Sequence, residues 1–347
     1  MKKKVRWIIA VTVLVLLLAT AVTVLGQALV PKAGAWALMQ DFYALPKNTL
    51  DVLFLGASHT YYAYNPIQMW RDFGFTGYVL AQPSQPLWIT YYYLLEALQT
   101  QRPKAVVLDA FFACYLDDSV TPTYTRMSID CMKLSPRKLG AARASDIGEP
   151  LLSYVFPFFR YLDRLGSLSL QNLNPDLSAH FDPTRRGYYL TQQVYDGPLY
   201  ENPVSQERAP LTAKNQTYLD KIVSLCQEEG MELVLVCTPY MYRYRAGVEF
   251  RQWSAVPEQI YNTLSDLAQK HSHVTFLSCD LLKQEAGLVW PGDLMDEGHL
   301  NFYGASKLSQ WLGQWLRQTF SLPDRRKEAG FEQWHEYAEL TEAEKPS

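Results

Sequence analysis

The stretch Asp51–Pro66, DVLFLGASHTYYAYNP, constrains the fold more than any other part of the chain. Val52, Leu53, Phe54 and Leu55 form an apolar run too short for a helix and closed by a turn signal. That is the pattern of a strand buried on both faces in a parallel sheet. Gly56 and Ala57 are small enough for a sharp turn. Ser58 falls where the strand ends and a helical pattern begins. There its hydroxyl stands at the mouth of the sheet and its N–H near a helix N-terminus, which suits a nucleophile whose reaction creates an oxyanion. The same position suits a plain helix cap.

A second stretch, Asp296–Gly304 (DEGHLNFYG), adds chemistry that the first lacks. Asp296 and His299 are three apart, on one face of a tight or first helical turn. A carboxylate there can hold the imidazole Nδ1–H and leave Nε2 free to take a proton from a serine. Taken alone, the pair also reads as a capping Asp and a surface His. Together the stretches supply nucleophile, orienting acid and base in the order Ser58, Asp296, His299.

Between them the chain alternates. Helical patterns over Pro66–Phe73, 87–101, Ala213–Glu229 and Val256–Lys270 separate short apolar runs at Tyr78–Leu80, Ala105–Ala110, Glu232–Cys237 and Val274–Leu277. A long amphipathic helix is expected over Tyr303–Phe320. Strand–helix–strand order implies parallel pairing with right-handed crossovers, hence an α/β fold: a three-layer α/β/α sandwich with a mainly parallel sheet. Ligands of such sheets sit at the carboxyl ends of the strands. Ser58 follows the first strand, and His299 precedes the last helix. Residues 116–210 break the rhythm with Pro, Gly and polar clusters around one aromatic helix near Leu151–Leu165. They read as an insertion over the site within a domain spanning 51–320. Residues 321–347 read as a charged tail, with at most a short surface helix.

The N-terminus carries KKKVR and then Trp7–Gln27 without a charge. About 20 apolar residues span a bilayer, whereas leader cores run about 7–15. Residues 1–27 therefore read as a cytoplasmic tip and transmembrane helix, with the basic end inside and the rest outside. Gly26-Gln27-Ala28 offers a competing reading as a cleavage site. Residues 28–50, with Pro31, Gly34 and Pro46, read as a stem. The 347 residues are 48% hydrophobic, with a formal net charge of −3. They carry no general basic footprint for nucleic acid. Five cysteines without C-x-x-C spacing argue against a disulfide framework or a zinc site. Cys226 and Cys237 sit in apolar patterns that suggest burial, and a Cys114–Cys131 pairing stays open.

Gly56-Ala57-Ser58 and the run Asp296-x-x-His299-Leu300-Asn301-x-x-Gly304 resemble the first and last blocks of the SGNH/GDSL hydrolase superfamily, whose sheet is flavodoxin-like. The layout is most similar to its membrane-anchored members that work with cell-envelope O-acyltransferases. Examples are the D-alanine transfer proteins of teichoic acid modification and the accessory acetyltransferases of alginate assembly. The resemblance covers about residues 48–115 and 210–320, and Ala57 replaces the family's usual acid. It implies extracytoplasmic acyl transfer to a polysaccharide or teichoic-acid acceptor beside a polytopic membrane O-acyltransferase, with no cofactor or metal. The alternatives are an esterase or deacylase that uses water, and a non-catalytic scaffold of an envelope-polymer assembly complex, which Ala57 and Asp109 keep open. Family oxyanion donors follow the second and third strands. Here those places hold Gln82, Ser84 and Gln85, and then Asp109, which either caps the next turn or acts otherwise. Asn65 and Asn301 are expected to support the site. His59 is expected to be structural, with its side chain turned away from Ser58. Arg185, Arg186, Tyr188 and Tyr189 are candidates for contact with an anionic or sugar ligand. His180, His271, His273 and His335 are expected at the surface.

Overall fold

A computed structural model describes residues 2–31, 34–117, 120–167, 182–202, 204–241 and 256–342. Five parallel strands form one sheet in the order β2-β1-β3-β4-β5. They are β1 (Val52–Gly56), β2 (Gly77–Ala81), β3 (Ala105–Asp109), β4 (Glu232–Val236) and β5 (Val274–Leu277). Val52 pairs with Gly77 on one side and Ala105 on the other, so the chain reverses its direction of winding at β1. A ligand crevice is expected at that reversal, beyond Gly56 and Asp109.

The helices follow in chain order: α1 (Lys2–Leu29), α2 (Gly34–Ala44), α3 (Ser58–Ala63), α4 (Pro66–Phe73), α5 (Leu87–Ala97), α6 (Pro122–Asp130), α7 (Pro136–Ser145) and α8 (Leu152–Val155). After them come α9 (Ala213–Glu228), α10 (Pro257–Ala268), α11 (Cys279–Glu285), α12 (Phe302–Thr319) and α13 (Glu332–Glu342). Strand residues alternate between two cores, as the two-residue period of a strand requires. Leu53, Leu55, Val106, Leu108, Leu233 and Leu235 face a core completed by α2, α5, α9 and α10. Val52, Phe54, Val107, Val234 and Val236 face the core of α3 and α12. The sheet thus lies between two helical layers. Local chemistry sets the ends: the Asn65 side chain accepts from Gln68 N–H (3.1 Å), Pro66 opens α4, and Gly74 closes it at φ 82°.

Three expectations need correction. The stem is no linker: α2 buries Leu38, Met39 and Phe42 in the first core, and the Tyr78 hydroxyl lies 2.9 Å from both the Leu38 carbonyl and the Asp41 carboxylate. The insertion does not fold as one aromatic helix over Leu151–Leu165. It forms the single turn α8 followed by 3-10 turns at Pro157–Phe159 and Leu162–Ser167, because Pro157 cannot continue the helical ladder. Its other part supplies α6 and α7, which carried no clear apolar period. The segment after 320 is not a loose tail. Phe331 and Trp334 are buried, and Arg325 makes two 2.8 Å bonds to the buried Asp51 carboxylate. Residues 343–347 lie outside the described residues.

All five cysteines are buried free thiols, so Cys114 and Cys131 are not paired. The α1 helix is long and apolar enough to cross a membrane, and its lipid-length window is wholly unburied. The exposed edge of β2 is closed by the end of the insertion. Val79 N–H donates to Arg186 C=O (3.0 Å), and a Cβ on Gly187 would stand 2.1 Å from the Val79 carbonyl oxygen. Such cover keeps a free edge from pairing with another chain.

Candidate active site

The Ser58 turn is built from the sheet outward. Gly56 ends β1 at φ 148°, and a Cβ there would strike Thr60 Oγ1 at 2.2 Å and Asp109 Cβ at 2.9 Å. Only glycine lets β1 reverse so tightly into α3. The Ala57 carbonyl accepts from Thr60 N–H (3.0 Å), starting the helix, and Ser58 is its first residue. At that place the Ser58 N–H is not claimed by the helical ladder.

The His299 loop is held just as firmly. Asn301 is fully buried and caps α12, its oxygen accepting from Tyr303 and Gly304 N–H. Its amide nitrogen donates to Gly292 C=O (2.7 Å) and Leu294 C=O (3.1 Å). Met295 N–H donates to His299 C=O (2.9 Å), closing the loop on itself. The returning insertion hooks on through the Tyr195 hydroxyl, which lies 3.2 Å from the Glu297 carboxylate. Asn301 is thus a support of the loop and not a contact of the cleft.

These two frames bring three side chains into line. Ser58 Oγ lies 2.8 Å from His299 Nε2. His299 Nδ1 lies 2.9 and 3.0 Å from the two Asp296 oxygens. Asp296 Oδ1 also accepts from the N–H groups of Gly298 (2.7 Å) and His299 (2.9 Å). Burial raises the Asp296 pKa, but the imidazole and those N–H groups outweigh it, so the carboxyl ends below its ordinary value and stays ionised. With Asp296 fixing the proton on Nδ1, Nε2 presents a lone pair to the serine hydroxyl, the arrangement needed to take its proton on attack.

The cleft above this line measures about 580 Å³ and is walled by Phe111, Phe112, Tyr115, Tyr124 and Tyr195, with Thr121 and Glu297 at its rim. Sequence reasoning missed these walls. Phe111 and Phe112 stood two and three residues past Asp109, where the strand-end rule points. Tyr124 and Tyr195 carried no periodic signal.

Of the three expected oxyanion donors after β2, only Ser84 lines the cleft, in a left-handed turn at φ 52°. Gln82 is buried and donates its amide to Ala35 C=O (3.2 Å). The Gln85 side chain donates to Thr90 (2.9 Å), and its N–H to Gln82 C=O (3.2 Å). Neither is available to a substrate, because each braces the loop that carries Ser84.

Asp109 is the cap, not a charge at the oxyanion position. One oxygen accepts from Phe111 N–H (3.0 Å); the other takes Thr238 N–H (3.3 Å) and the Thr238 hydroxyl, which itself contacts the Tyr64 hydroxyl (2.7 Å). The carboxyl thus ties β3, β4 and α3 together below the cleft. Burial pushes its pKa up to about 6 in spite of those donors. The folded value stands above the unfolded one, near 3.9. Between those values the folded protein binds the proton more tightly, so this group costs stability as pH rises from about 4 to 6. Two pKa units correspond to about 3 kcal/mol. Asp109→Asn is therefore expected to flatten the fall in melting temperature from pH 4 to 6.5. Equal slopes in wild type and variant would place the carboxyl's titration elsewhere.

His59 departs from expectation. It is buried, lines the cleft, packs on Phe111 (3.8 Å between centroids) and meets the His299 ring edge-on at 5.2 Å. Successive helical residues differ by only about 100°, so His59 turns sideways rather than away. Burial and then the His299 charge hold its pKa well below the ordinary value, and it stays neutral. Tyr62 covers His299 at 5.0 Å and Tyr189 packs on Tyr62 at 5.2 Å, so Tyr189 stands one layer behind the base.

The other insertion candidates fall outside the cleft. Arg186 is buried, hydrogen-bonded to Gln333 (2.7 Å), 3.4 Å from Asp41, and faces the Trp334 and Tyr337 rings. It is a clamp between α2 and α13. Arg185 and Tyr188 border a separate cleft of about 20 Å³ with Asn65 and Gln68. His273 holds the Val223 carbonyl (3.0 Å) and His335 the Arg326 carbonyl (2.9 Å), while His271 is half-buried. His180 lies outside the described residues.

No family model and no curated protein matches the chain. Among solved structures it is similar to a Bacteroides fragilis protein named a "putative acylhydrolase", with 13% identity over 81% of this chain and 94% of that one, at a TM-score of 0.41. It is also similar to a Streptococcus pneumoniae protein named a "putative platelet activating factor", with 14% identity over 81% and 91%, at a TM-score of 0.37. Both likenesses are remote, and neither assigns a substrate to this chain.

Proposed function

We propose that this chain is a serine acyl-transfer enzyme that works outside the membrane, anchored by α1. The observation that carries the reading is the line Ser58 Oγ–His299 Nε2 at 2.8 Å with Asp296 on the other ring nitrogen. Ser58 Oγ attacks an activated acyl carbonyl while His299 takes its proton. The oxyanion forms beside the Ser58 N–H and the Ser84 turn. His299 returns the proton to the leaving group, and an acyl-Ser58 ester remains. A second hydroxyl, deprotonated by the same imidazole, then attacks that ester and frees the serine.

The resemblance of both motifs to envelope O-acylation proteins supports a polysaccharide or teichoic-acid hydroxyl as acceptor and a polytopic O-acyltransferase as neighbour. The basic KKKVR end and the uncharged run after it support a single pass with the cleft outside. With water as acceptor the same steps make an esterase. The test is labelling of the full chain in membranes by a serine-directed fluorophosphonate, with Ser58→Ala as control. Labelling lost in the variant is the expected result; equal labelling, or none in wild type, would leave a non-catalytic envelope protein. Release of free acid only when a glycan acceptor is withheld would separate transfer from hydrolysis.

A further inference from the structure

We propose that the segment Leu152–Leu165 is a second membrane contact, which lays Phe159, Leu162 and Leu165 into the headgroup–acyl boundary of the leaflet where α1 emerges. The proposal rests on α1 spanning the bilayer. A helix rises about 1.5 Å per residue, so a core of about 30 Å entered at Trp7 is left near Gly26. At that height the insertion touches the helix: a Cβ on Gly26 would stand 2.7 Å from the Phe158 backbone nitrogen. One turn further on, Leu29 and Val30 are buried, and Arg164 donates to the Leu29 carbonyl. The segment from Phe158 to Arg164 therefore crosses α1 at the level where hydrocarbon gives way to headgroups.

What it shows there is apolar. Phe159 is 64% exposed, Leu152 59%, Leu162 47% and Leu165 41%. Four large apolar side chains exposed within 14 residues are a denser run than the scattered single exposures that any soluble surface carries. Its cations are engaged: Arg160 pairs with Glu149 (3.2 Å) and Arg164 with the Leu29 carbonyl. Asp163 is exposed as well, and its carboxylate must stay in the headgroup water for this contact to form. The occupant is lipid, because lipid already surrounds α1 at this depth wherever the segment does not. A turn with an aromatic and leucines at that boundary buries them as an interfacial helix does. Two contacts hold a domain at one height and tilt, where a single span would let it swing.

The test uses the full chain in nanodiscs of phosphatidylcholine with phosphatidylglycerol. Nitroxide labels are placed singly by Leu17→Cys, Phe159→Cys, Leu165→Cys and Leu340→Cys; the native cysteines are buried thiols. Collision with oxygen and with a water-soluble nickel chelate is read by power saturation. The expected result is deep burial at Leu17, free chelate access at Leu340, and several-fold lower chelate access with retained oxygen access at Phe159 and Leu165. Chelate access at Phe159 equal to that at Leu340, with Leu17 buried, overturns the proposal alone. A water-exposed Leu17 overturns the span and the proposal with it.

Discussion

Ser58→Ala and His299→Ala should each reduce acyl transfer to background, a loss of about 10⁶-fold where the reading of the site holds. The size follows from shared work. Without the hydroxyl there is no nucleophile, and without Nε2 the hydroxyl keeps its proton at neutral pH. The double variant should therefore be no worse than either single one, because each change removes the same step. Asp296→Asn should fall less far, by about 10⁴-fold, since the imidazole remains and what it loses is its tautomer and angle. Stability should barely move for Ser58→Ala or His299→Ala. His299 stands at the cleft with a partly exposed side chain, and a shortened Ser58 opens no core cavity. Asp296→Asn is different, because its Oδ1 also accepts the Gly298 and His299 N–H groups, and some loosening of that loop is expected. The measurement is polymer acylation in cells, with membrane levels of each variant checked by blot. Wild-type acylation from well-expressed Ser58→Ala would remove the enzymatic reading.

The parts of this fold that were legible in the sequence are those where a local signal and the tertiary outcome agree. Strands β1 to β4 announced themselves as short apolar runs between turn residues, because a strand covered on both faces has no polar side to show, while the edge strand β5, half-buried at Thr275 and Phe276, was the weaker run. Asp296 and His299 were legible together because their partnership lies within one turn. The approach of Ser58 to His299 was inferred from topology across a separation of 241 positions, and the same topology placed the strand ends correctly. What stayed hidden depends on partners far away in the chain. Gly34–Ala44 looked like stem because Pro31, Gly34 and Pro46 surround it, yet Leu38, Met39 and Phe42 share one helical face that only the sheet explains. Gln82 and Gln85 have the right chemistry for an oxyanion donor, and only the positions of Ala35 and Thr90 show that their amides are already engaged. Arg186 looked like a ligand for an anion, because a sequence cannot show that Asp41 and the rings of Trp334 and Tyr337 surround it.

The C-terminal segment is where misreading by composition has the largest consequence for stability. Its residues look solvated: DRRKEAG precedes α13, and the helix carries Glu332, Glu336, Glu339 and Glu342. Yet Trp334 is 4% exposed and packs on the fully buried Trp70 at 5.5 Å, with the Arg186 guanidinium 5.0 Å from its ring. Trp334→Ala removes one of two tryptophans packed together at a junction of α4, α13 and the insertion, and a change of that kind costs about 3–5 kcal/mol. Arg325→Ala should cost a similar amount for another reason. It leaves the 2% exposed Asp51 carboxylate with only the Thr76 N–H and hydroxyl, and an abandoned buried charge costs about 3–5 kcal/mol. For a domain of this size each kcal/mol lowers the melting temperature by about 2–4 °C, so either variant should melt about 10 °C lower. Glu342→Ala is the control. Its pair with Arg71 is at the surface, and such pairs are worth about 0–1 kcal/mol. Fluorophosphonate labelling per folded molecule should be unchanged in all three, since none of these residues lines the cleft. The check is thermal unfolding of the full chain in detergent or nanodiscs. If Trp334→Ala and Arg325→Ala melt with the wild type, the segment after Leu322 is an appendage and the first core closes without it.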